Sequence, residues 1–362
     1  MYLATIIVAL NNEYPLTQNF FSNILKITNN NIQIIAVVDL SPSMETYIFL
    51  ENQKKIHNNL LVIYNNQNLG FSKANNIGAQ KAKSSYLIFL NSDTFPTGNS
   101  IYSLIEYMNS DSSIGVAQGL ILYPQTGRVQ STGHIFGFYK SRHAFDGNTQ
   151  LHPLVNEICE RQALASGFYI TQRKLFEAEN GFDEIYFNAW EGMEYSLKIH
   201  LSGYKCMYYP SAKAYHVKGS GRTRIFREES SQAGYFWHKW ADKIEMDLPI
   251  ILIKQLSKEQ LKRNYIFINA SSLKNNIWEI MLKDIHFNIV DYYYITKSLV
   301  KKNISLEDSI PTGIIESSNN LLFLSDNFQE LIGNKNVFEY RKKFHDIILD
   351  LSGNVVTPST VI

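Results

Sequence analysis

Four short runs that are almost wholly apolar and rich in β-branched residues, "TIIVAL", "IIAVVDL", "LLVIYNN" and "SYLIFLNSD", fall between Thr5 and Asp93. A strand that is apolar on alternate residues covers one face; a run apolar throughout is covered on both, the pattern of a parallel sheet with helices on each side. The segments between them agree: roughly Leu16 to Thr28, and "GFSKANNIGAQKAK", read as helices. The predicted fold class is α/β, a Rossmann-like, mostly parallel sheet with helices on both faces. Ligands of such sheets sit beyond the carboxyl ends of the strands. Here those ends are "VALNN", "VVDLS" and "FLNSD", so Asp39 and Asp93 face a common crevice.

After Asp93 the pattern loosens. "VAQGLILY", "ALASGFYIT" and "KCMYYPSAKAYHV" read as strands, and "EGMEYSLKIHL", Glu191 to Leu201, as a helix closed by Gly203. The texture changes again near Met246. We expect one domain over residues 1–245, with a nucleotide-binding half (1–95) and an acceptor and catalytic half (96–245). The C-terminal extension, 246–362, is expected to be α/β or helical, either an appended domain or the opening of a longer one. Its segment "NYIFINASSLKNNIWEIMLKDIHFNIVDYYYITKSLV" fits a strand-helix-strand unit, and "NNLLFLSDNFQELIG" the start of another.

The 362 residues, 45% hydrophobic and 19% charged, suffice for a large core. A net charge of +1 argues against a nucleic-acid partner. Two cysteines, Cys159 and Cys206, make no disulfide framework, which fits a reducing, cytoplasmic setting. The opening "MYLATIIVALNNEY" is too short for a span and lacks a leader's charged start, and no run approaches the roughly 20 apolar residues a bilayer requires. Any membrane association is therefore expected to be peripheral.

Several polar clusters have the composition of a site. A carboxylate at Asp39 can accept hydrogen bonds from a base or ribose, or cap a turn. "NQNLGFSKANNIGAQKA" holds Asn68, Gly70, Asn75, Asn76 and Gly78, without the Gly-Lys-Ser/Thr of a phosphate-binding loop. Its small residues serve helix packing as well as ligand approach. Asn91 and Asp93, two apart at a strand end, point to one side and offer the oxygen ligands that a hard divalent cation prefers; a simple turn before Pro96 is the alternative.

Taken in order, "TIIVALNN", "VVDLS", "NLGFSKANNIGAQKA", "YLIFLNSDT", "ASGFYITQRKLFEAENGFDE", "AWEGMEYSLKIHLSGYK" and "YYPSAKAYHVKGS" resemble the family 2 nucleotide-sugar glycosyltransferases, in particular bacterial rhamnosyl- and galactofuranosyl-transferase-like members. The resemblance spans roughly residues 1 to 240. It implies a GT-A fold and inverting transfer from a nucleoside diphosphate sugar, UDP- or dTDP-linked, with Mg²⁺ or Mn²⁺ at a DxD-like element. Asp39 would bind the base or ribose. Asn11, Asn68, Gly70, Asn75, Asn91, Gly167 and Asp183 would border the donor, although Asp183 can equally cap a helix. Asp93 and His216 would hold the metal, with Asn91 in the first acidic place of the element. Lys218, Arg222, Arg224 and Arg227 form a basic loop for a diphosphate or an anionic lipid-linked acceptor, or a solvated charge cluster.

Relatives usually carry a Glu-Asp pair where this chain reads Glu191-Gly192, with Glu194 in a third acidic place. Three readings are open: Glu191 is the base and Gly192 makes room for the acceptor or a loop; Glu194 reaches the site from the same helix face; or the site binds donor without transfer. Glu191 is the preferred base. The resemblance further implies a growing glycan as acceptor, carried on a polyprenyl diphosphate in O-antigen or capsule synthesis, and other glycosyltransferase modules as partners. A dinucleotide-dependent oxidoreductase is disfavoured, because "ALNNEY" stands where a G-x-G-x-x-G would follow the first strand.

Overall fold

The computed structural model describes residues 2–11, 14–39, 42–137, 140–217, 226–273, 277–295, 309–333 and 335–358, with side chains of 226–230 and 335 left aside. Contacts divide the chain into two compact units, residues 1–134 with 149–244, and residues 135–148 with 245–362.

In the first unit, β1 (Ala4–Leu10), α1 (Tyr14–Ile27), β2 (Ile32–Val38), α2 (Met44–Ile56), β3 (Leu60–Tyr64), α3 (Gly70–Gln80) and β4 (Tyr86–Asn91) alternate as the apolar runs predict. Then come β5 (Thr94–Pro96), α4 (Ser100–Ser110), β6 (Ile114–Leu122) and β7 (Val129–Ser131). β8 (His134–Gly137) and β9 (Lys140–His143), which past His134 belong to the second unit, pair as a two-stranded hairpin. β10 (Cys159–Glu160), β11 (Phe168–Gln172), α5 (Arg173–Ala178), α6 (Glu191–Leu201), β12 (Lys205–His216) and α7 (Phe226–Trp240) complete the unit.

The main sheet runs β10-β12-β6-β11-β4-β1-β2-β3. β1 to β4 are parallel, and β11 enters antiparallel between β4 and β6. Alternation along β1 explains why its run is apolar throughout. Ile6, Val8 and Leu10 pack with Phe20 and Phe21 of α1, whereas Ile7 packs with Ala74 of α3 and a cluster including Phe176 and Tyr195. Each face is a core, and each buried large aliphatic or aromatic side chain contributes about 1.5–3 kcal/mol.

The expected strand "ALASGFYIT" is shorter than its apolar letters suggest. β11 begins only at Phe168, and the residues before it form a loop pinned by polar bonds: the Leu164 N–H donates to Ser196 Oγ (2.8 Å) and the Ala165 N–H to Gln118 Oε1 (2.7 Å). That loop carries Ser166 and Gly167.

The second unit contains α8 (Leu248–Ile253), α9 (Lys258–Lys262), β13 (Asn264–Asn269), α10 (Ile277–Ile285), β14 (Asn288–Tyr294), α11 (Thr312–Ile315), β15 (Asn320–Ser325), α12 (Phe328–Ile332), α13 (Lys335–Tyr340), β16 (Ile347–Asp350) and β17 (Val355–Val356). Its sheet, β14-β13-β15-β16-β17, is parallel except for β17. Residues 135–148 belong with it although they lie far upstream. Arg142 pairs with Asp326 at 3.1 Å, the Phe136 N–H donates to Asp247 Oδ1 at 2.6 Å, and Asn148 Nδ2 donates to Asn354 Oδ1 at 2.9 Å. Buried Arg341 is neutralised by Asp346 at 2.6 Å and donates to the carbonyls of Ile315, Ser317 and Asn319, tying the 315–319 segment to one guanidinium. Among the described residues no helix is long and apolar enough to cross a membrane.

Candidate active site

The carboxyl ends of β2 and β4 flank β1, and the polar residues there divide into two groups. Asp39, just past β2, is buried and spends both oxygens on the loop that opens α3. Oδ2 accepts from the Gly70 N–H (2.7 Å), and Oδ1 from the Leu69 N–H (2.9 Å) and Asn65 Nδ2 (3.2 Å). Burial pushes its acidity down, raising the pKa above the ordinary aspartate value against the opposing pull of the Leu69, Asn65 and Gly70 donors. Asn68 Oδ1 also accepts from the Gly70 N–H at 3.0 Å. Gly70 has φ of 80°, and a Cβ there would lie 2.4 Å from the Phe187 carbonyl oxygen, so only glycine lets this loop meet the 187 segment.

Asn75 is fully buried on α3; its Nδ2 donates to the Phe71 carbonyl at 2.8 Å, and its Oδ1 has no partner among the described residues. Its neighbour Asn76 clamps the 181–184 turn, accepting from the Phe182 N–H and donating to the Phe182 carbonyl, each at 2.9 Å. Asn11 stands exposed after β1.

The second group gathers where β4 and β12 end. His216 Nε2 lies 3.1 Å from Asp93 Oδ1 and 3.3 Å from Asn91 Nδ2. On the other side of the ring, Nδ1 sits 2.5 Å from Gln130 Oε1, while Gln130 Nε2 donates to the His216 carbonyl at 3.3 Å. That second bond orients the amide with its oxygen toward the ring, so Nδ1 carries a proton and Nε2 is the atom turned toward Asp93. An imidazole lone pair and a carboxylate oxygen at this separation require positive charge between them, a ring proton or a cation. Two cis ligands of an octahedral Mg²⁺-sized ion would stand about 3 Å apart. Asp93 and His216 therefore fit a divalent cation as two of its ligands. Asn91 turns its N–H to the ring, not its oxygen, and holds its place by donating its own backbone N–H to the Gly167 carbonyl at 3.2 Å. No cluster of three His, Cys, Asp or Glu residues occurs among the described residues, so further ligands would come from phosphate oxygens or water.

Past Gly167 the same loop reaches α6. Glu191, the first residue of that helix, is 4% exposed, and its Oε1 accepts from Ser166 Oγ at 3.0 Å. Its Oε2 is buried and has no hydrogen-bond partner among the described residues. Burial raises its pKa, opposed by backbone N–H groups at the helix start and by the Ser166 hydroxyl. The residues leading in, Ala189 and Trp190, both adopt left-handed conformations, with φ of 79° and 74°. Each costs roughly 1–3 kcal/mol in a non-glycine residue. Trp190 is held there by packing on Phe236 of α7, with ring centroids 5.1 Å apart.

Gly192 has an evident steric cause. A Cβ at this position would lie 2.2 Å from Ser166 Cβ and 2.5 Å from its Oγ. The room left by the missing side chain is filled by the Ser166 loop.

Glu194 and Asp183 both bond to α7. Glu194 is fully buried; Oε1 accepts from Lys239 Nζ (2.7 Å) and Trp240 Nε1 (3.0 Å), which fastens α7 to α6. Asp183 does not cap α6. Its Oδ2 accepts from the same Lys239 Nζ at 3.2 Å and from the Tyr235 hydroxyl at 3.3 Å, and its Oδ1 from the Ile185 N–H at 3.2 Å. Burial opposes its ionisation, but the Ile185 N–H and the Lys239 ammonium outweigh it, and its pKa lies below the usual value. Lys218, Arg222 and Arg224 lie outside the described residues, as does the Arg227 side chain.

Ser166, Gln130 and Lys239 bond to predicted site residues, and the sequence alone does not mark them. Ser166 sits beside the predicted Gly167, but its partner lies 25 positions downstream. Gln130 is 86 positions from His216.

Residues 5–169 match Glycosyl transferase family 2. That segment contains Asp39, Asp93 and Ser166, whereas Glu191 and His216 follow it. No curated protein matches the chain. Among solved structures, GalNAc-T7 with UDP, GalNAc and Mn²⁺ superposes with a TM-score of 0.55 at 18% identity, over 79% of this chain and 55% of that one. This chain thus spans about half the length of that protein. The mannosyltransferase PcManGT of Pyrobaculum calidifontis, with GDP-Man and Mn²⁺, gives 0.49 at 13% identity, over 67% of this chain and 65% of that one. S. aureus TarS 1-349 with UDP-GlcNAc gives 0.47 at 14%, over 72% and 69%. The family match is confined to residues 5–169, and the sheet order together with the likeness to GalNAc-T7 gives the chain a GT-A fold.

Proposed function

We propose that the protein is an inverting, divalent-cation-dependent glycosyltransferase that moves a sugar from a UDP- or dTDP-linked donor to a growing glycan, in the synthesis of a bacterial surface polysaccharide. The observation that carries this reading is the environment of Glu191. It is a buried carboxylate at a helix start, with one oxygen anchored by Ser166 and the other unpartnered, and one loop joins it to the Asn91, Asp93 and His216 cluster. Glu191 Oε2 takes the proton of the acceptor hydroxyl, and the raised proton affinity from burial suits it to that task. Asp93 and His216 would hold the cation, with Gln130 orienting the imidazole. When bound, the cation offsets the charge that develops on the departing diphosphate. Asp39 shapes the base and ribose end of the crevice by fixing the loop at Gly70. The acceptor class, the nucleotide and an association with the inner membrane face, by way of the basic loop, follow from the sequence resemblance.

The test is nucleoside diphosphate release from a panel of UDP-, dTDP- and GDP-sugars, with and without Mg²⁺ or Mn²⁺, for the natural protein, Glu191→Gln and Asp93→Ala. Metal-dependent release from one donor, lost in both variants, is expected. Tight donor binding without release, even with polysaccharide fragments supplied, would overturn transfer in favour of a binding module.

A further inference from the structure

We infer that Ser166 is the positioning residue of the base, and that Gly192 is the steric condition for it. The assignment rests on Glu191 as the base. A carboxylate at the first position of a helix has free rotation about three side-chain bonds, and catalysis needs one oxygen aimed at the acceptor while the other is held. Ser166 Oγ, 3.0 Å from Oε1, is the one side-chain donor on Glu191 among the described residues. It leaves Oε2 without a partner.

The close approach that makes this bond is incompatible with any side chain at position 192. The atoms a Cβ would strike are Ser166 Cβ at 2.2 Å, Oγ at 2.5 Å and Cα at 3.0 Å, two of which cannot swing away without moving the backbone. That backbone is pinned from the neighbouring residues: Leu164 and Ala165 bond to Ser196 and Gln118, and the Gly167 carbonyl accepts from Asn91. The loop is therefore rigid on both sides of Ser166, and an acid at 192 would displace the hydroxyl from Glu191. Loss of a second acid and gain of a serine anchor are two consequences of one packing arrangement.

The other titratable groups facing Glu191 do not supply this function. Tyr169 of β11 and Tyr186 of the preceding loop are both fully buried, with pKa values raised far enough by desolvation to stay neutral. Glu194, one turn along α6, is bonded to Lys239 of α7.

The experiment is a pH titration of the Glu191 carboxyl by ¹³C NMR on protein labelled at glutamate, the resonance being assigned by its loss in Glu191→Gln, alongside kcat and donor affinity where a donor is found. In Ser166→Ala the midpoint is expected to rise by about one pH unit, since a donor that favours the ionised form is gone. In the same variant kcat should fall about tenfold, with donor affinity within twofold of the natural protein. Ser166→Cys, of similar size but a poor donor, should move the midpoint the same way, which covers a failure of the alanine variant to fold. In Ser166→Gly combined with Gly192→Ala, the steric conflict eases yet the midpoint should stay high. An unmoved midpoint in folded Ser166→Ala or Ser166→Cys would overturn the positioning role. Full turnover in Glu191→Gln would instead remove the base assignment itself, so the two failures are distinguishable.

Discussion

Glu191 and Glu194 stand one turn apart on α6, both withdrawn from water, and end in opposite electrical surroundings. Each keeps an Oε2 without a hydrogen-bond partner among the described residues, but Glu194 Oε1 meets an ammonium and an indole N–H from α7, with Lys198 Nζ 4.0 Å from its Oε2, whereas the one side-chain donor on Glu191 is the neutral Ser166 hydroxyl. Burial alone therefore says little about what a carboxylate does. A buried charge matched by a cation serves assembly, because separating the pair is costly. A buried charge left partly unmatched has higher proton affinity and is kept at a cost to stability, which is the condition of a base. The strained Ala189-Trp190 approach lies next to the second kind.

The contrast can be broken most decisively at Glu191. Glu191→Gln should lower turnover about a thousandfold while donor binding persists, measured as nucleoside diphosphate release; a variant within tenfold of the natural rate would erase the distinction between the two acids. Lys239→Met should cost about 3 kcal/mol of stability by leaving Glu194 buried and uncompensated, read from denaturant midpoints. If that variant unfolds no more easily than the natural protein, Glu194 is not an anchor. A smaller effect sharpens the metal side: Gln130→Leu frees the His216 ring and should weaken Mn²⁺ binding about tenfold, followed by electron paramagnetic resonance without any substrate.

The smallest effect concerns stability against pH. Because the folded-state pKa of Glu191 is raised above its unfolded value of 4.5, the folded chain holds this proton more tightly. Stability contributed by this group is then full below the unfolded value and falls as pH rises toward the folded one. Glu191→Gln should consequently melt higher than the natural protein at neutral pH, and the gap should narrow on acidification. A gap constant with pH would argue that the glutamate is not held against ionisation.

Much of the fold was readable from letters because its cause is local and repetitive. The runs at β1, β2 and β4 are apolar on nearly every residue, and the two cores at Ile6 and Ile7 are what such runs demand. The helix over Glu191 to Leu201 was also within reach, as was the proximity of Asn91 and Asp93 at a strand end. The start of β11 was not, since Ala163 and Leu164 are as apolar as strand residues and only the bonds to Ser196 and Gln118 reveal a loop. Nor was the return of residues 135–148 to the second unit, which depends on Arg142 meeting Asp326 across 184 positions.

Residue type and spacing by themselves determined a doubly wound sheet, the strand ends where a ligand belongs, and a short roster of acids on which chemistry could rest, because hydrophobic periodicity and turn chemistry act between near neighbours. Only the tertiary structure separates those acids by their surroundings. Whether a carboxylate is an anchor or a base depends on which donors arrive from distant segments, Lys239 and Trp240 at Glu194 and Ser166 at Glu191. Hydrogen bonds and clashes act over a few ångströms, and the pairing of Ser166 with Gly192 is a property of the space between two segments that no single stretch of sequence encodes.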